Sequence, residues 1–220
     1  MKIKYLRSLI CAALVFAAPA AQAGGTMVSF FPEDVEIETS RAHKSSFDVP
    51  KLSRMFSGSS SDHYSKRVEN MRKDARRLAA SPPRSLRNET ALGCTAVAIF
   101  FEARGESLKG QRAVASVVLQ RAKVPDRWGA TPCDVVRPVQ FSFMESRYGY
   151  PSIVQQDGWQ KSWPRAINIA AQILMDGPMP ELRGADHYHT RAVKPRWRLA
   201  MPRVAEIGNH LFYTDPLSHQ

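Results

Sequence analysis

Residues 91 to 103 read ALGCTAVAIFFEA, and this segment is the strongest structural signal in the sequence. It is apolar on nearly every side of a helix, which is typical of a central helix buried by its neighbours. Asn88 is a suitable N-cap, Glu89 is favourable in the first turn, and Gly105 ends the helix. The sequence therefore predicts a buried helix over residues 91–103, with one carboxylate, Glu102, at its C-terminal end.

Further elements are predicted downstream of this helix. Two amphipathic helices are expected over Leu108 to Ala122 and Pro164 to Met175. The proline- and glycine-rich residues 124–160 predict irregular chain with short helical pieces. Residues 204–213 alternate around Gly208-Asn209 and predict a short β-hairpin. The predicted fold class is α+β, mainly α, with a small β-hairpin element.

The first 23 residues have the composition of a secretory signal. Three positive charges precede the apolar run LICAALVFAA at residues 9–18, and Ala21 and Ala23 supply the small residues of a cleavage site. The apolar run is short of the roughly 20 residues that a spanning helix needs. We predict that residues 1–23 are a signal peptide and that the protein is exported, to the periplasm or the cell wall.

Residues 24–88 are a poor candidate for a folded domain. Serine-rich residues 57–61, Pro82-Pro83 and scattered charges predict a basic, partly disordered N-terminal region. Within it, residues 61–80 predict a basic helix that faces solvent or the wall. The compact domain is expected to cover residues 89–220.

The chain is strongly basic. Its net charge of +11 falls to +8 when Lys2, Lys4 and Arg7 leave with the signal peptide. Such a charge predicts an anionic partner, such as a wall polymer or a membrane surface. The sequence contains no nucleic-acid recognition motif, so no specific nucleic-acid partner is expected. Nothing in the sequence identifies a protein partner.

Two cysteines, Cys94 and Cys133, remain in the mature chain once Cys11 is removed. Secreted proteins often pair such residues in a disulfide. The sequence does not show that the two are close in space. A disulfide and two separate buried thiols are therefore both open.

Glu102 directly follows two phenylalanines in the segment FFEARGE at residues 100–106. A carboxyl group in apolar surroundings is desolvated, which raises its pKa. A raised pKa suits a general acid at neutral pH. From the residue types alone, a structural ion pair with Arg104 or another arginine is equally open. Glu106 is the nearest second carboxylate, and a helix-capping or structural role is open for it.

Three segments together carry a resemblance to a known family. They are FFEARGESLKGQRAVASVVLQRAKVP from residue 100, Gln140-Phe141-Ser142, and IGNHLFY at residues 207–213. In order and spacing they resemble the SleB/CwlJ family of cell-wall hydrolases, the spore cortex-lytic type, over about residues 91 to 213. The resemblance implies a domain like those of lytic transglycosylases and goose-type lysozymes. It also implies one catalytic glutamate in the E-A-R-G-E segment, which here is Glu102.

The resemblance further implies cleavage of peptidoglycan glycan strands between N-acetylmuramic acid (MurNAc) and N-acetylglucosamine (GlcNAc). One carboxyl group is enough if the C6 hydroxyl of MurNAc is the nucleophile. Glu102 would then protonate the leaving oxygen and take the hydroxyl proton, giving a 1,6-anhydro product. Hydrolysis, which uses a second carboxylate, stays open. No cofactor is expected.

The other expected site residues would contact the substrate. Tyr188 and His189 are able to stack on a sugar or bond to its hydroxyls. Loop packing is the alternative for residues 140–142, and a turn role is the alternative for Asn209. The predicted substrate-binding residues are Glu106, Gln140, Phe141, Ser142, Tyr188, His189, Asn209 and His210.

Two other functions are open. His187, His189 and His210 suggest a zinc-dependent N-acetylmuramoyl-L-alanine amidase. However, the sequence has no H-E-x-x-H motif and no clear third ligand at metal spacing, so we predict no metal. A wall-binding protein without turnover is the other possibility, and the intact FFEARGE segment argues against it.

Overall fold

The computed structural model describes residues 59–145 and 150–219, so the predicted signal peptide lies outside the described residues. Within these residues the chain is mainly helical and carries one small sheet, which confirms the predicted fold class. No helix among them is both long and apolar enough to cross a membrane. The elements are α1 (Ser59–Ala80), α2 (Ala91–Ala103), α3 (Leu108–Arg121), α4 (Pro125–Trp128), α5 (Pro132–Val135), α6 (Trp159–Asp176), β1 (His187–Thr190), β2 (Arg203–Ile207) and β3 (His210–Tyr213).

Helix α2 is the buried helix that the sequence predicts, with the predicted bounds. Ten of its 13 residues are buried, and it packs against α3 and α6. Its N-cap is Thr90 rather than Asn88, because the Thr90 side chain accepts a hydrogen bond from the backbone N–H of Gly93 at 3.1 Å. Asn88 instead has a left-handed φ of 60° in the preceding turn.

Helices α3 and α6 are the two predicted amphipathic helices. Helix α3 ends at Arg121, one residue before the predicted end. Helix α6 begins at Trp159, so Pro164 lies inside it instead of starting it. The sequence rule that places proline at a helix start failed here, because five residues before Pro164 already pack as a helical turn. Gly177, with a φ of 89°, ends α6.

Helix α1 packs on the domain instead of facing only solvent or wall. Its Leu78 side chain is fully buried in the same hydrophobic cluster as residues of α2 and α6. Trp163 Nε1 donates a hydrogen bond to the Leu78 carbonyl oxygen at 2.9 Å. The narrow apolar face of α1 is sufficient to hold the helix on the domain because α6 covers it. The compact body therefore begins before the boundary expected near residue 88.

A disulfide joins Cys94 in α2 to Cys133 in α5, with an S–S distance of 2.08 Å. The sequence left open a disulfide or two separate thiols, and the structure contains the disulfide. The two cysteines are 39 residues apart in the chain. Closing a loop of that length restricts the unfolded chain and stabilises the fold by about 4 kcal/mol.

The three strands form an antiparallel sheet in the order β1-β3-β2. The predicted hairpin is β2–β3, and its turn is Gly208-Asn209. Directly paired residues share a face, so Tyr188 and its partner Phe212 lie on the same face as His210. Phe212 is fully buried in the main hydrophobic cluster, so this face covers the helices. We call it the inner face, and the opposite face the outer face.

Candidate active site

Glu102 lies in the last turn of α2 and meets the inner face of the sheet. The Tyr188 hydroxyl donates a hydrogen bond to Glu102 Oε2 at 3.2 Å. Burial raises the pKa of the Glu102 carboxyl, and the Tyr188 hydrogen bond and the positive charge of Arg121 offset part of that rise. This carboxyl therefore keeps its proton to a higher pH than an exposed glutamate, as a general acid requires.

Arg104 does not form the ion pair that the sequence left open for Glu102. Its guanidinium donates to Gln156 Oε1 at 3.4 Å and lies over the Phe100 ring, 5.3 Å from the centroid. Arg104 is exposed, whereas Glu102 is half-buried. The carboxyl of Glu102 is thus held by a neutral hydroxyl and not by a salt bridge to this arginine.

Tyr188 is a predicted site residue that the structure brings into direct contact with Glu102. Burial and the neighbouring carboxylate raise the pKa of its phenol well above the ordinary value. The hydroxyl therefore stays protonated and remains a hydrogen-bond donor to Glu102. His210 packs edge-on against the Tyr188 ring at 5.3 Å, and burial lowers the pKa of its imidazole.

Glu106 holds the β2–β3 turn against the start of α3. Its Oε2 accepts a hydrogen bond from the backbone N–H of Asn209 at 3.2 Å, and its Oε1 lies 3.8 Å from His210 Nδ1. A Cβ atom on Gly208 would lie 2.1 Å from Oε2, so only glycine leaves room for the carboxylate. Glu106 therefore has the structural role that the sequence left open for it, since it holds the turn. Asn209 is a turn residue and contacts Glu106 through its backbone N–H.

Within residues 140–142, the Phe141 side chain is buried and does not line an open groove. The Phe141 side chain is 2% exposed and packs in a hydrophobic cluster with Val118 and Trp128. Loop packing, the alternative interpretation, therefore describes this residue. Gln140 is half-buried and Ser142 is exposed, and a substrate contact by either remains a prediction.

His187 and His189 lie on the outer face, away from Glu102. His189 Nε2 is 3.1 Å from the Tyr213 hydroxyl, and its Nδ1 is 2.8 Å from the Thr190 carbonyl oxygen. His187 Nδ1 is 2.8 Å from Asp186 Oδ1, and both imidazoles pack around Trp197. The structure therefore does not bring His189 to Glu102, because neighbours along a strand alternate between faces.

The three histidines of the zinc alternative are divided between the two faces of the sheet. His210 is on the inner face beside Glu106, opposite to His187 and His189. Within residues 59–145 and 150–219, no group of three metal-ligating side chains is arranged to hold an ion. The donor geometry thus does not fit a zinc centre of these histidines.

Arg121 is the site residue that sequence reasoning missed, because its position suited a helix C-terminus. Its side chain is 6% exposed, and its Nε donates to the Asp186 carbonyl oxygen at 2.7 Å. The available signal was its spacing, four residues after Val117 and three after Val118, on the apolar stripe of α3. A charged residue on a buried stripe is rare without a purpose.

A surface groove of about 580 Å³ lies elsewhere on the described chain. It is lined by residues 80–84, Tyr150, residues 152–155 and Trp159. None of the predicted site residues is among them. The groove therefore adds no group to the chemistry around Glu102.

A half-buried carboxyl with a raised pKa, at the end of a buried helix, is an arrangement suited to acid–base chemistry. The chain matches the model of the cell wall hydrolase family over residues 105–213. It is therefore an enzyme that degrades the cell wall, with peptidoglycan as its substrate. The matched range begins three residues after Glu102, so the role of Glu102 depends on the geometry described above.

Two solved structures are similar to the chain. One is the catalytic domain of the Bacillus cereus SleB protein, at 23% identity, covering 61% of this chain and 100% of that one, with a TM-score of 0.42. The other is the catalytic domain of the germination-specific lytic transglycosylase SleB from Bacillus anthracis, at 24% identity, 58% and 96% coverage and a TM-score of 0.43. Similarity at this level does not extend to the arrangement of a site. None of the curated proteins compared with the chain matches it significantly.

Proposed function

We propose that this enzyme cleaves peptidoglycan glycan strands between MurNAc and GlcNAc as a lytic transglycosylase, with Glu102 as general acid and then general base. The observation that carries this proposal is the half-buried Glu102 carboxyl, bonded to the Tyr188 hydroxyl and free of a salt bridge to Arg104. Burial raises the pKa of Glu102, so at a given pH a larger share of this carboxyl is protonated than of an exposed glutamate.

The reaction begins with protonated Glu102. Its proton passes to the glycosidic oxygen as the bond from that oxygen to C1 of MurNAc breaks, and GlcNAc leaves as the alcohol. The C6 hydroxyl of the same MurNAc then bonds to C1, and its proton returns to the Glu102 carboxylate. The product is a 1,6-anhydro sugar, and Glu102 ends in its starting protonation state.

The position of Glu106 favours this route over hydrolysis by two carboxylates. Hydrolysis with a single displacement needs a second carboxylate to activate water, and a retaining route needs one as nucleophile. Glu106 is already bonded to the Asn209 backbone and close to His210. Moving it to a substrate would release the β2–β3 turn, whereas attack by the C6 hydroxyl needs no second carboxylate.

Mass spectrometry of digested peptidoglycan tests the proposal. Purified peptidoglycan is incubated with the wild-type enzyme, with Glu102→Gln and with Glu181→Gln, and the glycan ends are identified. Glu181 is an exposed carboxylate paired with Lys109, so it is a matched control for loss of one negative charge. We expect anhydromuramyl ends from the wild type and from Glu181→Gln. Glu102→Gln should lose at least a hundredfold in rate.

Two results would contradict the proposal in different ways. Reducing MurNAc ends in place of anhydro ends would mean hydrolysis, and a group that positions water would then have to exist. Stem peptides released by the wild type and equally by Glu102→Gln would mean amidase chemistry. In that case activity should also disappear with a metal chelator, and the histidines would need to rearrange.

We further propose that the protein is exported and that its mature chain begins at Gly24. The Cys94–Cys133 disulfide supports export, because such bonds persist in oxidising compartments. Mass measurement of the protein recovered from the periplasmic or wall fraction tests this. A chain that keeps residues 1–23 and stays with the cytoplasmic fraction would contradict it.

We also propose that the basic surface of the protein contacts anionic wall polymers or membrane. Exposed Lys66, Arg72 and Lys73 on α1 add to this charge. Such attraction weakens as salt increases. Retention of Glu102→Gln on purified walls should therefore fall between low and high salt, and salt-independent retention would count against a charge-based contact.

A further inference from the structure

We propose that the Val139 side chain contacts the bound peptidoglycan strand and recognises methyl groups that the strand carries. The inference rests on the proposed cleavage of glycan strands at Glu102, and it adds a binding residue that the sequence patterns did not indicate. It starts from a valine whose backbone conformation and exposure to water are both unfavourable for that residue type.

Val139 occupies a position in a tight turn that glycine fits best. The Arg137 carbonyl oxygen accepts hydrogen bonds from the backbone N–H groups of Gln140 and Phe141, each at 3.2 Å. Pro138 and Val139 are therefore the central residues of the turn, and Val139 has a left-handed φ of 76°. Proline followed by a positive φ is typical of a type II turn, in which glycine or asparagine is favoured at the second central position. A β-branched residue at that position is an outlier.

The Val139 side chain has no burial that would offset this conformation. It is 85% exposed, compared with 51% for Val154, another valine at the surface. A left-handed φ is unfavourable for any residue with a Cβ atom, and an apolar side chain in water contributes no hydrophobic stabilisation. Glycine would remove both disadvantages. Residues held in unfavourable backbone conformations cluster at sites that bind ligands, so the outlier indicates a contact made only when a ligand is present.

Contacts on both sides of the turn hold it in this conformation. Glu145 Oε1 accepts a hydrogen bond from the Val139 backbone N–H at 3.1 Å. Two residues further along the chain, the Phe141 side chain is buried in a cluster with Ala98 of α2 and Val118 of α3. The turn is thus fixed on the domain while the Val139 side chain remains in solvent.

The same segment reaches the end of α2 that carries Glu102. The Phe143 ring stacks on the Phe101 ring, with centroids 4.8 Å apart and an interplanar angle of 23°. Phe101 directly precedes Glu102. Val139 comes four residues before Phe143, so their Cα atoms are at most about 14 Å apart. A strand that continues for several sugars past the cleaved bond is long enough to meet a side chain at this distance.

Methyl groups are the parts of the substrate that fit an exposed valine. The Val139 side chain has no hydrogen-bonding atom, so its attraction is to apolar surface. Exposed Ser142 and half-buried Gln140 lie beside it in the sequence and offer hydrogen bonds to sugar hydroxyls. In peptidoglycan, methyl groups occur in the N-acetyl and lactyl groups of the strand and in the alanines of its peptide stems. Substrates with and without stems distinguish these two sources.

Binding of soluble peptidoglycan strands to Glu102→Gln tests the contact without turnover. Dissociation constants are measured by titration calorimetry for strands with peptide stems and for strands whose stems have been removed. Adding Val139→Ala or Val139→Gly to this protein should weaken binding of stem-bearing strands by about threefold to tenfold. Val154→Ala is the matched control, because it removes the same atoms from an exposed valine outside the turn, and it should leave binding unchanged.

The two substrates assign the contact. Equal weakening for both kinds of strand places it on the glycan, and weakening only where stems are present places it on the stem. Unchanged affinity of both variants for stem-bearing strands would overturn the proposal. Weaker binding in Val139→Gly but not in Val139→Ala would also overturn it, because the stiffness of the turn would then matter and the side chain would not.

Thermal unfolding separates strand contact from support of the fold. Val139→Gly releases the unfavourable φ and should unfold at the wild-type temperature or above it. Asn88→Gly, at a φ of 60° in another turn, should gain less because asparagine tolerates that region, and it should leave strand binding unchanged. A clearly lower unfolding temperature for Val139→Gly would show that the side chain supports the fold, and the proposal would be wrong.

The proposed contact and the proposed function fail in different ways. If the Val139 variants bind and cleave strands as the wild type does, the contact is wrong and the role of Glu102 stands. If the wild-type enzyme leaves glycan strands intact, the proposed function is wrong whatever the Val139 variants bind. Strand binding and end-group analysis on the same protein preparations therefore decide the two questions separately.

Discussion

At Glu102, burial and charge act in opposite directions on one carboxyl group. The desolvation that suits it to donate a proton also makes its ionised form costly in the folded protein. Neither the Tyr188 hydrogen bond nor the charge of Arg121 removes the whole cost, since the net pKa shift is upward. Carboxyl groups desolvated in this way commonly reduce the stability of the fold that carries them.

Glu102→Gln should therefore unfold at a higher temperature than the wild type at pH 7. Because the folded-state pKa of Glu102 is raised above its ordinary value of 4.5, the wild type is most stable below that pH and loses stability as pH rises through the folded-state pKa. The difference in unfolding temperature between Glu102→Gln and the wild type should thus shrink as pH falls toward 4.5. Thermal unfolding followed by circular dichroism from pH 4 to 8 measures this.

Exposed Glu181→Gln serves as the control and should show no such pH-dependent gain. A Glu102→Gln variant that is less stable than the wild type at pH 7 would indicate that the carboxylate is held by contacts stronger than those described. The assignment of Glu102 as a desolvated acid would then be wrong.

Individual residues differ in how far the sequence identifies them. Glu102 was identified because a carboxylate at the end of an apolar run is conspicuous. Arg121 was missed because a cation near a helix C-terminus has an ordinary explanation in the helix dipole. His189 was expected in the site because alternation along a strand does not tell which face meets the helices.

Among the elements, the β2–β3 turn is where the sheet meets the helices. Gly208 has a φ of 60°, and the Glu106 carboxylate occupies the space that a side chain would need. Gly158 has a similar φ of 68°, and apart from its chain neighbours no atom of the described residues lies within 4 Å of where its Cβ would be. A substitution at Gly158 therefore causes backbone strain alone, whereas one at Gly208 causes backbone strain and a steric clash with Glu106.

Gly208→Ala should cost more stability than Gly158→Ala. An alanine at left-handed φ costs about 1–2 kcal/mol at either position. At Gly208 the displaced carboxylate also loses its bond to the Asn209 N–H, which adds about 1 kcal/mol or more. Urea denaturation of both variants measures the difference, and equal losses would mean that Glu106 moves aside without consequence. Activity should fall only in Gly208→Ala, since the turn positions the sheet that carries Tyr188.

The disulfide between α2 and α5 should account for a large part of the stability. Replacing both cysteines by alanine should lower the free energy of unfolding by about 2–4 kcal/mol, because the unfolded chain gains freedom. Chemical denaturation with and without a reductant measures this. The reductant should lower the free energy of unfolding of the wild type and leave that of the double variant unchanged. A shift of the double variant would show that the reductant acts by another route.

The elements themselves were largely predictable. The buried helix, the amphipathic α3 and the hairpin follow from periodicity and turn residues, which act locally. The start of α6 was missed because a proline inside a helix is tolerated only where packing compensates for its lost N–H. The Thr90 cap was missed because three neighbouring residues each have side chains that suit helix starts.

At the scale of the whole molecule, the main difference concerns α1. Its apolar face is narrow, and the sequence offered no sign that α6 would cover it. Whether such a helix packs depends on a complementary surface that here lies 85 residues further along the chain, at Trp163, and the periodicity of a single sequence contains no such information. The Leu78 side chain is buried, and its backbone carbonyl accepts a hydrogen bond from Trp163 Nε1. These two contacts make α1 part of the hydrophobic core.

Leu78→Ala should therefore destabilise the entire described domain. Truncating a fully buried leucine costs about 2–5 kcal/mol. Arg76→Ala, two residues earlier on the exposed side, removes only a surface ion pair with Glu69 and should cost less than about 1 kcal/mol. Denaturation monitored by tryptophan fluorescence compares them. Equal, small effects would mean that α1 is not part of the cooperative unit.

The two faces of the small sheet limit how this chain can vary in length during evolution. One inserted or deleted residue in β1 would exchange its faces, so a histidine would replace Tyr188 beside Glu102. The connection from Arg191 to Pro202, which is mostly exposed, has no such alternation to preserve. Natural insertions and deletions should accumulate in that connection, while the spacing from Asp186 to Thr190 should stay constant among homologues that keep Glu102.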